Sequence, residues 1–158
     1  MNEILMLIIL TLMPFLELRA SIPYGVFSTN LHWGWVFMIC VLVNIILAPI
    51  VYYLFLELIQ WSRKIKFIDY CYRKTVVRTQ RRVHKHVEKY GVLGLAIFIG
   101  IPLPGSGVYS GALAADLLGF KFKDFFRAAV IGVVVAGLIV LLVSLLGNGA
   151  FEFMLKRI

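Results

Sequence analysis

The sequence predicts an all-α integral membrane protein arranged as an inverted repeat. Each half is a re-entrant helical hairpin followed by a transmembrane helix, and a basic amphipathic cytoplasmic helix joins the halves. Three observations predict this. The chain is 61% hydrophobic and 15% charged with a mean hydropathy of +0.93, well to the apolar side of a soluble domain. Two apolar runs, one per half, are broken by proline and glycine into pieces too short to cross a bilayer, which needs about 20 residues. Of the sixteen Lys and Arg residues, ten fall between Arg63 and Lys89. One membrane domain over 1–158 is expected, with repeat 1 at about 4–58, the connector at about 62–90 and repeat 2 at about 91–147.

Repeat 1 opens with Ile4 to Met13, continuously apolar but only half the length of a span. Met1-Asn2-Glu3 lacks the positive flank of a secretory signal, so this segment is expected to stay as structure. Pro14 breaks the run, and Glu17, Arg19 and Pro23 follow before Val26, Phe27 and Leu31 lead to His32-Trp33-Gly34-Trp35, an interfacial aromatic belt. A hairpin that enters and leaves on one side suits this better than a straight span carrying two mid-membrane charges. Val36 to Leu58 is the first true span, with Asn44 and Pro49 as its irregular features and Tyr52, Tyr53 and Trp61 toward its far end.

From Ser62 to Tyr90 the character changes. Ile65, Ile68, Tyr72, Val76, Val83, Val87 and Tyr90 recur at spacings of 3, 4, 4, 7, 4 and 3, one stripe of a helix whose other faces carry Arg and Lys. A chain this apolar makes anionic lipid head groups, rather than nucleic acid, the expected neighbours of that basic surface. His84 and His86, two apart, point to different helix faces and suggest no metal site; Cys40 and Cys71 lie in different environments and read as structural thiols.

Repeat 2 opens with Gly91 to Leu103, apolar until Pro102-Leu103-Pro104-Gly105-Ser106-Gly107 breaks it. Val108 to Phe120 returns with small residues that permit close helix approach in lipid. The glycine spacing here superficially resembles a nucleotide loop, but no strand surrounds it. Phe125 to Gly147 is the last span, with Gly132 and Gly137 available for tight packing and Asp124 expected to cap its start.

An odd number of crossings per half inverts the second half. If the first hairpin opens outward, thirteen of the sixteen bases fall on the cytoplasmic side, as the positive-inside rule requires. The expected location is therefore the cell membrane, with the connector cytoplasmic and membrane lipids as neighbours.

Interrupted helices at corresponding places in two halves point to the binding site of a transporter, because irregular backbone survives at membrane depth only when buried in protein or lining a cavity. The candidate substrate or proton site is accordingly Glu17, Arg19, Pro23, Asn44, Pro102, Pro104, Gly105, Ser106, Gly107, Tyr109, Ser110 and Asp116. Glu17 is the best proton carrier; Arg19 suits an anion or a carboxylate partner, although residues two apart pair awkwardly within a helix. Asn44 reads either as interhelical glue or as a path-lining amide, and Asp116 either as an interface anchor or as a proton group. Hydroxyls at Ser106, Tyr109 and Ser110, with free N–H groups at half-helix ends, suit an anionic head group. No Ser-His-Asp, Cys-His or metal-ligand constellation appears, so no enzyme activity, cofactor or metal is expected.

Two stretches, Glu17-Leu-Arg-Ala-Ser-Ile-Pro-Tyr-Gly25 and Phe98-Ile-Gly-Ile-Pro-Leu-Pro-Gly-Ser-Gly-Val-Tyr-Ser-Gly-Ala112, together with Gly132 to Gly137, resemble the small multi-drug export protein family. That family is similar in turn to the DedA-type (VTT) membrane transporter superfamily. The resemblance implies paired re-entrant hairpins, a homodimer, and energised transport of phosphate-headed lipid carriers such as undecaprenyl phosphate. DedA-type relatives carry arginines flanking the second hairpin's proline, where this chain has Ile101 and Gly107, while Glu17 matches the acidic residue of their first hairpin. Two alternatives stay open: proton-coupled export of hydrophobic cations, and a membrane scaffold that does not transport.

Overall fold

The structure, a computed structural model, describes residues 2–14, 16–62, 91–102 and 106–155. The basic stripe predicted beyond Ser62 falls outside these residues, as do Pro104 and Gly105 of the second break. Among the described residues there are six helices: α1 (Glu3–Leu12), α2 (Glu17–Ser28), α3 (Trp33–Ser62), α4 (Gly91–Gly100), α5 (Val108–Leu118) and α6 (Phe122–Leu155).

The same order of elements occurs twice. A 10-residue helix, a break, a 12-residue helix and a 30-residue helix form the first half. In the second half a helix over Gly91–Gly100, a break, an 11-residue helix and a 34-residue helix follow. At ~1.5 Å per residue the short helices reach about 15 to 18 Å, roughly half of a ~30 Å hydrocarbon core. Trp33–Glu57 and Phe122–Gly147 are long and apolar enough to cross it.

Local chemistry sets the breaks. Met13 precedes a proline and is forced out of the helical region to φ −70, ψ 131, which ends α1. The chain then turns through Glu17, whose N–H donates to the Met13 carbonyl at 3.1 Å, and α2 begins there. Pro102 acts likewise after α4, whose last turn is closed by the Ile101 N–H on the Ile97 carbonyl at 2.9 Å. Thr29 closes α2 by donating its hydroxyl to the Gly25 carbonyl at 2.6 Å. Gly119 ends α5 at φ 75, a left-handed conformation that glycine adopts without steric cost. Asp124 sits within the first turn of α6 rather than at its cap, where its charge still meets the positive helix end.

Small residues bring the layers together. Ile99 of α4 is wedged between α5 and α6: a Cβ added to Gly111 or Gly132 would lie 2.6 or 2.7 Å from its side chain. Gly137 of α6 rests against Phe37 and Val41 of α3, at 3.0 and 3.1 Å from where a Cβ would stand, so both sequence-predicted packing glycines do that job. Toward the other end, Tyr52 of α3 stacks on Phe125 of α6 with centroids 5.1 Å apart and donates its hydroxyl to the Phe120 carbonyl. Gly25 of α2 abuts Val36 of α3 and Leu7 of α1. The outward faces of the long helices are apolar, with Leu42, Ile46, Ile50 and Leu54 on α3 and Leu138, Leu142 and Leu146 on α6 all exposed. Such faces belong against lipid or another apolar surface.

Candidate functional site

Each break strands backbone groups: the N–H groups opening one helix and the carbonyls closing another. The second break lies between α4 and α5, and its own side chains carry no charge. Its groups are met by the first hairpin. The Glu17 carboxylate accepts from the Val108 N–H at 3.3 Å through Oε2 and from the Tyr109 N–H at 3.4 Å through Oε1. It thus sits on the positive end of α5, 3% exposed. Arg19 takes the opposite end. Its Nη2 donates to the Ile101 carbonyl at 3.3 Å, just past α4, to Ser106 Oγ at 3.1 Å, and to the Ser106 carbonyl.

The spacing that makes a direct Glu17–Arg19 pair awkward therefore has a different meaning. Glu17-Leu18-Arg19 delivers an anion to the helix end that wants negative charge and a cation to the end that wants positive charge. Gly107 makes this possible, since a Cβ there would lie 2.0 Å from Glu17 Oε2. Glu17 adopts φ 44, the single positive φ of a non-glycine residue among the described residues. For a bulky residue that conformation costs about 1–3 kcal/mol and persists only where surroundings enforce it.

The tie is reciprocal. Tyr109 of α5 donates its hydroxyl to the Leu12 carbonyl at 2.6 Å, meeting a carbonyl that α1 leaves open at its end. Ser106 Oγ donates to the Ile101 carbonyl at 2.6 Å, and Ser110 Oγ accepts from the Gly107 N–H at 2.9 Å, which shapes the break itself. Glu17, Arg19, Ser106, Gly107, Tyr109 and Ser110 are thus brought together, and Pro102 follows Ile101, whose carbonyl Arg19 and Ser106 share.

Other predicted residues stand apart. Pro23 lies inside α2, where its missing N–H leaves the Arg19 carbonyl without its helical donor. Asp116 is half-buried near the other end of α5, about 12 Å along the helix from the Glu17 cradle at ~1.5 Å per residue. Its charge acts on Tyr52 instead. Asn44 is fully buried, and neither its Nδ2 nor its Oδ1 has a hydrogen-bond partner, so the amide is not interhelical glue. The Nε of Arg19 is also buried without a partner.

Sequence reasoning missed the cross-capping, although two signals pointed to it: a break without charges in one half, and two opposite charges unable to pair in the other. It also missed a buried polar seam on the inner side of α1 and α2. There the Thr11 hydroxyl meets Ser21 Oγ at 2.8 Å, with the buried Cys40 thiol of α3 beside the pair.

Paired broken helices, two spanning helices and outward-facing apolar stripes define a polytopic membrane protein. A family model described as "Putative small multi-drug export protein" matches residues 17–139, from the Glu17 that opens α2 to the middle of α6, and the chain belongs to that family. The family is one of export proteins rather than of enzymes. No curated protein and no solved structure matches the chain.

Proposed function

We propose that the protein is a proton-coupled transporter of an amphipathic anion, most simply a phosphate-headed lipid of the polyprenyl phosphate type. The observation that carries this reading is the position of Glu17: its carboxylate occupies a helix N-terminus, a ready-made anion site, beside a guanidinium. A phosphate head group taking that place would displace the carboxylate. Two anions there would repel, so Glu17 takes up a proton as it leaves. Before exchange the site holds Glu17 minus and Arg19 plus; afterwards it holds neutral Glu17, Arg19 plus and the anion. The charge is conserved, so carrying one anion charge with one proton adds no net charge to a low-dielectric site.

Arg19 has donors for this task. Its guanidinium carries five N–H groups, and the buried Nε–H has no acceptor. Ser106, Ser110 and the Tyr109 hydroxyl add neutral contacts. In this reading the hairpins are re-entrant and related by inversion, the tip holding Glu17 opens outward, and the basic connector faces the cytoplasm of a cell membrane. The exposed apolar stripes of α3 and α6 suit lipid and a second copy, making a homodimer.

A second reading, proton-coupled export of hydrophobic cations, is favoured by the family description. Arg19 weighs against it, since a cation at Glu17 would sit beside a like charge. Vesicles reconstituted with the protein separate the readings. A short-chain polyprenyl phosphate should drive proton uptake; Arg19→Gln should cut that flux about tenfold or more, the worth of one charge-assisted contact, and Glu17→Gln should abolish the proton movement. Flux of a lipophilic cation that survives Arg19→Gln would establish the second reading. Absence of flux of either class from an intact dimer would leave a scaffold.

A further inference from the structure

Asn44 poses the sharpest question in the fold. Its amide is 0% exposed, and both its donor and its acceptor lack partners. A buried unsatisfied polar group is destabilising by about 1–3 kcal/mol, so a plain leucine would suit this helix better unless the amide meets something in another state. One residue on, the Ile45 carbonyl has no helical donor, because residue 49 is proline.

The register of α2 against α3 says what that something is. Gly25 abuts Val36, and one turn earlier on α2 and later on α3, Ser21 lies beside Cys40. The helices run antiparallel in steps of four, and the next step pairs position 17 with position 44. Helices in contact have axes about 8–10 Å apart, a gap that a glutamate and an asparagine reaching toward each other can close. Glu17 now turns the other way, onto α5.

We propose that the Asn44 amide is a second seat for the Glu17 side chain, occupied when that side chain is a neutral carboxylic acid. The chemistry is selective. A carboxylic acid donates its O–H to Oδ1 and accepts from Nδ2–H, making two bonds with a primary amide. A carboxylate cannot donate to Oδ1 and gains more from the two N–H groups of α5. Protonation therefore moves Glu17 from α5 to α3 and uncovers the α5 N-terminus. The proton comes from the medium and stays on the carboxyl oxygen. This rests on the proton-coupled reading above and supplies its coupling element. The titratable or charged groups facing this space are Arg19 on α2, Tyr109 on α5 and Cys40 on α3. Thr11 on α1 is neutral, and the buried residues of α6 include no titratable group.

Infrared difference spectra of the protein in lipid, recorded between alkaline and acidic pH, test it directly. The carboxylic acid carbonyl band of Glu17 is assigned by its loss in Glu17→Gln. In Asn44→Leu the band should move to higher frequency, as for an acid without a partner. Its appearance should need a pH lower by about one unit, one net hydrogen bond converted at 1.36 kcal/mol per unit. Asn44→Ala should give the same two shifts, which keeps the test available if the leucine does not fit. A Glu17 band that both variants leave unmoved, or no Glu17 band at all, overturns the proposal. The outcomes are separable from those of the transport reading. Proton-coupled flux with an Asn44-insensitive band sinks this inference alone. An Asn44-sensitive band without anion-driven flux sinks the transport reading and leaves the second seat standing.

Discussion

Gly107→Ala is the most incisive perturbation of the break. The backbone there has φ −116, which alanine adopts freely, so the substitution adds no backbone strain. What it adds is a methyl group 2.0 Å from Glu17 Oε2 and 2.3 Å from both Cδ and Oε1. The carboxylate has to withdraw, leaving the Val108 and Tyr109 N–H groups without their acceptor. Each charge-assisted bond is worth about 1.5–3 kcal/mol, so the loss should be about 3–5 kcal/mol. For a chain of this size that lowers the melting temperature on the order of 10 °C, measurable in detergent or lipid by tryptophan fluorescence. A double-mutant cycle isolates the cause. In a Glu17→Ala background the three atoms nearest the added methyl are gone, so Gly107→Ala should cost much less, giving an interaction energy of about 2–4 kcal/mol. Additive costs, or a Gly107→Ala protein as stable as wild type, would refute the cradle.

Arg19→Lys keeps the charge but replaces a planar fork by a point donor, and should lower stability by about 1–2 kcal/mol in the same melts. Tyr109→Phe removes only the bond to the Leu12 carbonyl; about 1 kcal/mol and faster amide exchange at the α1 terminus are expected, detected by hydrogen–deuterium exchange. Gly111→Ala drives a methyl to 2.6 Å from Ile99 Cγ1 and 2.7 Å from its Cδ1 and should cost about 1–3 kcal/mol, with the cost reduced in an Ile99→Ala background, which removes both atoms; equal costs in both would show that the wedge is not the cause. Asn44→Leu should be neutral or slightly stabilising in the same measurement, because no hydrogen bond is lost and a buried amide is replaced.

Much of the architecture is legible because it is local. Pro14 and Pro102 end helices through the conformation they impose on the preceding residue, and composition alone marks the two long spans. Gly132 and Gly137 announce close approach in an otherwise strongly apolar segment. The aromatic belt hides the start of α3: Trp33 and Trp35 read as lying ahead of the helix, yet they are in its first turn, because the His32 carbonyl already accepts from both the Trp35 and the Val36 N–H groups. Of the site, the participants were legible and their partners were not. Glu17 and Val108 are 91 residues apart, so no local pattern relates them. Spacing suggested that free half-helix N–H groups await a ligand, whereas the Glu17 carboxylate holds them. Asn44 reads in the sequence as glue or as a path-lining amide; its burial together with its two unpartnered atoms weighs against glue.

The exchange of end-groups between the hairpins also bears on how such a chain is made. During synthesis the first hairpin reaches the bilayer with a carboxylate and a guanidinium but without the helix ends that receive them, since those lie some 90 residues downstream. Until the second hairpin arrives, Glu17 and Arg19 lack the groups that receive them, and the second break has only the local Ser106 and Ser110 caps. Neither half is a finished unit, and each is the other's chaperone. Two halves expressed as separate chains should therefore accumulate only together, each being degraded when made alone.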